Sequence, residues 1–203
     1  MWALVESNNV TQVYTRPKAL SIGDVNYPSN IFMLWTSSEL EAIGIYAVVI
    51  DNSNLKDQEY YINTNQNFAF ADGTVTATYG TATAKPLDNI LWTAEEETAD
   101  ETGAIVEGEI KQYGLKPRHK AAINAQAADN LQPTDWMVIR ATEGGTAVPS
   151  SITTWRAAVR TKANAMQVQI DNAANVDALA ALYVYNDADT PVRPLGEFPI
   201  LGA

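Results

Sequence analysis

The fold of the N-terminal half depends first on one stretch, Asn67-Phe68-Ala69-Phe70-Ala71-Asp72-Gly73-Thr74-Val75-Thr76-Ala77-Thr78-Tyr79. In its second part, Val75, Ala77 and Tyr79 alternate with three threonines, and this period of two is typical of a strand with one buried and one solvated face. Asp72-Gly73 is a strong signal for a tight hairpin turn, because both residue types tolerate positive φ. The stretch therefore predicts two antiparallel strands joined by that turn.

Three neighbouring segments extend this interpretation towards the N-terminus. Short strand-like runs flank Glu6-Ser7-Asn8-Asn9, which predicts a second hairpin because Asn accepts positive φ. The apolar, β-branched run Ile45–Ile50 predicts a buried strand. Before it, Thr36 and Glu39 have capping-box spacing and Gly44 is a stop signal, so a short helix is expected there. Residues 1–92 are thus predicted to be a mostly-β domain, a small antiparallel unit with one short helix.

An acidic segment, residues 93–110, interrupts the strand pattern. The chain has 24 acidic and 13 basic residues and a net charge of −11, and residues 91–110 hold seven of the acidic residues and none of the basic ones. Such a stretch predicts a solvated acidic linker. A cation site and an acidic strip that docks a partner remain as alternatives.

The C-terminal half is expected to be helical over residues 111–185 and to end in a Pro-rich extended tail, residues 186–203. Thr134 is placed to cap a short helix after Pro133, and Asn175 to cap the last helix. An alanine-rich apolar stripe is predicted at Ala121, Ala122, Ala125, Ala128 and Leu131. A second apolar face is predicted at Ile152, Trp155, Val159 and Met166. The whole chain is therefore assigned to the α+β class.

Composition limits the possible functions. The sequence has no cysteine, which excludes disulfides and thiolate nucleophiles. It has no run of about 20 apolar residues that could span a bilayer, and its first residues lack the pattern of a signal peptide, so synthesis in the cytoplasm is expected. Residues 111–203 carry nine basic and eight acidic groups, which is too balanced for binding through nucleic-acid phosphates. Neither a membrane nor a nucleic acid is an expected partner.

No motif for catalysis, cofactor binding or metal binding emerges. The one histidine, His119, lies among three cationic neighbours without an evident nucleophile or orienting acid, and is interpreted as a surface residue. The segment that begins at Asp51 resembles a calcium loop but has Lys56 at the glycine position and Ile62 at the glutamate position. No phosphate-binding or nucleotide-binding glycine motif occurs. We therefore expect no catalytic residues, no cofactor and no enzyme activity.

Four residues are candidates for a protein interface: Arg140, Arg156, Arg160 and Phe198. Arg156 and Arg160 share one helix face; they could pair with Asp135 or Glu143 inside the domain, or bind an acidic partner. Phe198 lies in the Pro-rich tail, which could extend along a neighbour and become ordered on assembly. By contrast, Trp136 and Trp155 are expected to be core residues, because both lie on helices among apolar residues.

A resemblance rests on two segments, Leu131-Gln132-Pro133-Thr134-Asp135-Trp136-Met137-Val138-Ile139-Arg140 and Pro149-Ser150-Ser151-Ile152-Thr153-Thr154-Trp155-Arg156-Ala157-Ala158-Val159-Arg160. Together they resemble tail-fibre-associated and tail-fibre-assembly-like proteins of tailed bacteriophages, with Trp155 where tyrosine is more usual. In the N-terminal half, Tyr27-Pro28, Ser38-Glu39-Leu40 and Gly44-Ile45-Tyr46 are similar to the small domain that often precedes that segment. The matches cover about two thirds of the chain, and they involve caps and core residues, so they imply a fold more firmly than a role.

The resemblance implies a non-enzymatic structural component of a phage tail, a tail or fibre-attachment subunit located in the virion. Its partners would be other tail or fibre proteins, and it would be present in multiple copies or as a homo-oligomer. The alternative is an assembly chaperone that helps fibres fold and is absent from the mature particle.

Overall fold

A computed structural model of the chain describes residues 1–202. The chain forms two compact units, the first Met1–Thr83 and the second beginning at Ala84. The boundary thus falls earlier than residue 92, where the sequence placed the end of the first domain. The physical reason is a strand pairing, because Ile90–Leu91 pairs with Ile110–Gln112 and so belongs to the second unit.

The first unit contains a five-stranded sheet and two short helices. Its elements are β1 (Trp2–Glu6), β2 (Asn9–Tyr14), β3 (Leu20–Ile22), β4 (Val25–Tyr27), α1 (Ile31–Leu34), α2 (Ser37–Glu41), β5 (Ile45–Asp51), β6 (Tyr61–Ile62), β7 (Gln66–Ala71) and β8 (Thr74–Tyr79). The sheet order is β2-β1-β5-β8-β7. The α+β class is confirmed, but the sheet is not wholly antiparallel, since β5 and β8 run parallel. Helix α1 was also not predicted.

Both predicted hairpins of this unit are present. Ser7 and Asn8 have φ of 49° and 61° between β1 and β2, and Asp72 and Gly73 have φ of 50° and 74° between β7 and β8. Two successive residues at positive φ match the right-handed twist of the flanking strands. These turns therefore follow directly from the local sequence.

The core of the first unit lies between the sheet and the two helices. It comprises Leu4, Tyr14, Leu20, Ile31, Phe32, Leu40 and Ile45. The capping box at α2 is confirmed, because the Thr36 hydroxyl accepts from the Glu39 N–H and the Glu39 carboxylate accepts from the Thr36 N–H. These hydrogen bonds, that of the Thr36 N–H foremost, lower the pKa of Glu39. The box thereby fixes where α2 begins.

The second unit is mostly helical. At the junction lies β9 (Thr83–Ala84), followed by β10 (Ile90–Leu91), α3 (Ala94–Ala99), β11 (Ile110–Gln112), α4 (Leu115–Leu131), a 3-10 turn (Gln132–Thr134), α5 (Asp135–Thr142), α6 (Ser150–Asp171) and α7 (Val176–Ala181). Helix α4 packs against α6. The predicted alanine stripe is wrong: Ala121, Ala122, Ala125 and Ala128 are exposed, and the buried face of α4 comprises Leu115, Ile123 and Ala127. The face of α6 is close to the prediction, with Val159 and Met166 fully buried.

The acidic segment, predicted as a linker, contains regular structure. Thr93 and Glu96 form a second capping box at the start of α3. The Asp100 carboxylate then accepts hydrogen bonds from the Thr102 hydroxyl and from three backbone N–H groups of residues 102–105. Glu96 also forms an ion pair with Lys111 of β11. Because these contacts join α3 to the β10–β11 pair, the segment is part of the second unit.

Candidate protein interface

The residues that carry the resemblance meet around the buried guanidinium of Arg156. Its Nη1 donates to the Leu131 carbonyl oxygen (2.9 Å) and to Thr134 Oγ1 (2.5 Å), and its Nη2 donates to Asp135 Oδ1 (2.7 Å). Thr134 is buried as well, and its own hydroxyl donates to the Leu131 carbonyl oxygen. We call these four residues the Arg156 bracket. It ties the end of α4 and the start of α5 to the middle of α6.

The bracket corrects two predictions. Thr134 stands at the N-cap of α5 but makes no capping hydrogen bond, since its hydroxyl is engaged by Leu131 and Arg156. Arg156, one of the four interface candidates, is instead a structural residue paired with Asp135. Of the two internal pairings that the sequence allowed, Asp135 rather than Glu143 is the partner. A buried guanidinium with three acceptors is stabilised where it lies, and at 7% exposure it presents little surface to a partner protein.

Helix α5 presents an apolar face that the chain does not cover. None of its eight residues is buried, and Trp136 and Ile139 are 53% and 57% exposed. The expectation that Trp136 is a core residue is therefore wrong: the bracket holds the first turn of α5, and Trp136 and Ile139 lie on the exposed side of the helix. An isolated helix of this length is marginal in water, and contiguous exposed apolar surface commonly marks an interaction site.

Arg140 completes this face with a fixed cation. Ile139 and Arg140 follow Trp136 by three and four residues, so both side chains lie next to the indole on the helix. We call these three residues the α5 face. The Arg140 guanidinium carbon lies 4.8 Å from the centre of the Trp136 ring, a distance suited to a cation–π contact. The Arg140 carbonyl oxygen accepts from the Gly145 N–H (2.9 Å), and a Cβ on Gly145 would come within 2.8 Å of the Arg140 side chain. Glycine at this position thus allows the helix end to close tightly over Arg140.

The remaining two interface candidates lie in different settings. Arg160 is exposed on α6 and, within residues 1–202, forms no ion pair. Phe198 is half-buried and, with Pro133, Trp155 and Ile200, lines a surface cleft of about 320 Å³. The structure therefore does not assemble the four candidates into one site. It brings Trp136 and Ile139, which the sequence did not single out for binding, together with Arg140.

The C-terminal segment has no helix or strand between Asn186 and Gly202, as the term extended tail implies, yet it packs onto the helices. Leu195 is fully buried, and its carbonyl oxygen accepts from Lys162 Nζ (2.8 Å). Further along, the Pro199 carbonyl oxygen accepts from the Trp155 indole N–H (2.9 Å). This hydrogen bond explains why Trp155 is only half-buried: one edge of the ring packs on the unit and its polar edge holds the segment.

His119 is partly buried against a neighbouring aromatic residue. Its Nδ1 lies 2.9 Å from the Tyr183 hydroxyl oxygen, and the two rings are 4.8 Å apart. In the part of the chain that the structure describes, no three His, Asp or Glu side chains are grouped so that they could hold a metal ion. Over the same residues, none of the helices has the length and apolar character needed to cross a membrane.

No protein-family model, curated protein or solved structure matches the chain. The Arg156 bracket and the α5 face, formed by the residues that also carry the resemblance, are therefore the features of the described chain that point to a role.

Proposed function

We propose that the chain is a non-enzymatic structural component of a bacteriophage tail, a tail or fibre-attachment subunit that acts through protein–protein interfaces. The observation that carries the proposal is the α5 face, which exposes an indole and an aliphatic side chain beside a positioned guanidinium. Tryptophan and arginine are the residue types most enriched at the energetic centres of protein interfaces. A subunit that works by docking needs such a surface held rigidly before its partner arrives.

The Arg156 bracket supports the same proposal by giving the resemblance a physical meaning. The pattern Thr-Asp-Trp with a later Trp-Arg places Thr134, Asp135 and Arg156 in one hydrogen-bonded cluster. Trp136 follows Asp135 directly and so leaves the cluster on the exposed side of α5. The pattern is thus suited to presenting an aromatic residue on a short, fixed helix, which favours a role in assembly.

Quantitative mass spectrometry of purified particles of the phage that encodes the chain tests the proposal. We expect several copies of the polypeptide in each particle, at a constant ratio to the tail-tube protein. Absence from particles together with abundance in the infected-cell lysate would overturn the proposal and favour the assembly-chaperone alternative. The lysate measurement is needed because it separates exclusion from the particle from lack of expression.

A further inference from the structure

A second surface of the same unit is chemically complementary to the α5 face. Residues 90–112, which we call the acidic hairpin, include the pair β10–β11 and expose Leu91 (47%) and Ile110 (40%). These two residues are direct partners in the strand register, so their side chains lie next to each other on one face. Together they form an apolar patch that is about as wide as one indole ring or one isoleucine side chain.

Two unpaired carboxylates precede Ile110 in the same hairpin. Glu107 and Glu109 precede Ile110, are exposed, and form no ion pair with any of residues 1–202. The only basic residue of the hairpin, Lys111, pairs with Glu96 and lies over the Trp92 ring. The hairpin therefore offers two exposed aliphatic side chains and carries an uncompensated negative charge.

Among the described residues, no hydrogen bond or ion pair joins α5 to residues 91–110. Arg140 likewise forms no ion pair with any of residues 1–202, and its Nε is buried without a hydrogen-bond partner among them. Each surface thus lacks a charge that the other one carries.

We infer that the α5 face of one copy docks on the acidic hairpin of a second copy, with Arg140 set against Glu107 and Glu109. Trp136 and Ile139 of the first copy cover Leu91 and Ile110 of the second. Because the two surfaces differ, the contact is head-to-tail, and its repetition builds a ring or an open row of subunits. The inference rests on contacts of this chain and extends the proposed function by naming a second copy as a partner.

The test is sedimentation equilibrium of the full chain and of charge-reversed variants. We expect the wild-type chain to self-associate, and Arg140→Glu to raise the dissociation constant at least about tenfold, because it places like charges opposite each other. The double variant Glu107→Lys/Glu109→Lys should weaken association to a similar extent. Arg16→Glu makes the same charge change in the first unit, at a residue that belongs to neither surface, and should leave the dissociation constant unchanged.

A mixing experiment distinguishes the head-to-tail contact from a symmetric one. The Arg140→Glu chain retains a normal acidic hairpin, and the Glu107→Lys/Glu109→Lys chain retains a normal α5 face. An equimolar mixture should therefore form heterodimers more tightly than either variant alone forms homodimers. Failure of the mixture to associate would overturn the inference, and so would a result in which Arg140→Glu weakens association but Glu107→Lys/Glu109→Lys does not. So would a wild-type chain that stays monomeric.

Glu143 provides an additional, opposite-signed test. It lies three residues after Arg140 at the C-cap of α5, on the side of the α5 face. In the proposed contact its carboxylate adds a like charge opposite the hairpin, so Glu143→Gln should tighten association. A weaker association of this variant would contradict the docking mode.

The self-association measurements are independent of whether the chain is found in virions. A monomeric chain that is present in virions would reject the inference alone. A self-associating chain that is absent from virions would reject the proposed function alone.

Discussion

Two arginines of the helical unit occupy opposite environments. Arg156 is buried and donates three hydrogen bonds to Leu131, Thr134 and Asp135. Arg140 lies over the exposed Trp136 ring and forms no ion pair within the described residues. Both residues are arginines on helices, so the location of hydrogen-bond acceptors is what separates the structural Arg156 from Arg140, which is half-buried beside Trp136.

This difference predicts different stabilities for matched variants. Arg156→Leu should lower the free energy of unfolding of the second unit by about 2–3 kcal/mol, because it removes charge-assisted hydrogen bonds and leaves Thr134 poorly satisfied. Arg140→Leu should change it by no more than about 0.5 kcal/mol, as is usual for a surface substitution. Urea unfolding followed by Trp fluorescence measures both. Equal losses for the two variants would contradict the assignment of Arg156 to the fold and of Arg140 to the surface.

Gly44 is a residue at which the N-terminal unit tolerates little change. It has φ of +81°, and a Cβ there would lie 2.8 Å from the Val5 carbonyl oxygen. Its own carbonyl oxygen accepts from the Val5 N–H (2.8 Å). Gly44→Ala should therefore destabilise the first unit by about 2 kcal/mol or more. Gly73→Ala is the control: it has a similar φ but open space around it, so the structure predicts a smaller loss in the same unfolding experiment.

Among the elements, the turn at residues 100–105 of the acidic segment is stabilised by the carboxylate of Asp100. Hydrogen bonds from the Thr102 hydroxyl and N–H, and from the Ile105 and Ala104 N–H groups, lower the pKa of Asp100 from an ordinary value of 3.8 to about 2. A group whose pKa is depressed on folding stabilises the folded state above its ordinary pKa, and this contribution is lost as the pH falls through the folded value. The turn at residues 100–105 should thus be intact above about pH 4 and should open towards pH 2.

Amide chemical shifts of Thr102, Ala104 and Ile105 measure this opening. They should titrate together with a midpoint near pH 2, and Asp100→Asn should shift them at neutral pH already. Glu101, which is exposed and makes no comparable contacts, supplies the matched control Glu101→Gln, which should leave the three amides unchanged. A midpoint near pH 4 for the wild-type amides would mean that the carboxylate does not hold the turn.

Elements that depend on a few adjacent residues were predicted correctly from the sequence. Contacts between residues far apart in the sequence were missed. The hairpin turns at Ser7-Asn8 and Asp72-Gly73 and the cap at Asn175 depend on a few adjacent residues, and all are present. The parallel pairing of β5 with β8 depends on residues far apart in sequence, so no local pattern reveals it. The buried face of α4 was misassigned because alanine suits either face of a helix, whereas Ile123 determines which side packs on α6.

The α5 face could be predicted only in part, for a related reason. Arg140 was singled out by the sequence, but Trp136 was assigned to the core because an aromatic residue on an apolar helix is usually buried. Its exposure depends on how α5 is oriented by the Arg156 bracket, which includes a contact between residues 21 positions apart. The available signal in the sequence was Thr134-Asp135-Trp136 followed later by Arg156. Only the three-dimensional structure shows that Arg156 binds Thr134 and Asp135 while Trp136 is left exposed.

At the scale of the whole molecule, the boundary between the units is itself testable. Fragments 1–83 and 84–203 follow the observed division. Apart from residues next to the cut, which divides β9, each should give an NMR spectrum that superimposes on its part of the full-chain spectrum. Cutting instead after residue 92 separates β10 from β11, so the C-terminal fragment should lose the dispersed signals of residues 110–112. If the second cut were tolerated as well as the first, β10–β11 pairing would not belong to the helical unit.

The most direct measurement of the central claim is the number of copies of the chain in particles assembled with either the wild-type chain or Arg140→Glu. The claim is that the chain joins a phage tail through its α5 face. We expect several wild-type copies in each particle and at least about tenfold fewer for Arg140→Glu, with both chains equally abundant and folded in the lysate and Arg16→Glu incorporated normally. Incorporation of Arg140→Glu at the wild-type level would contradict the account.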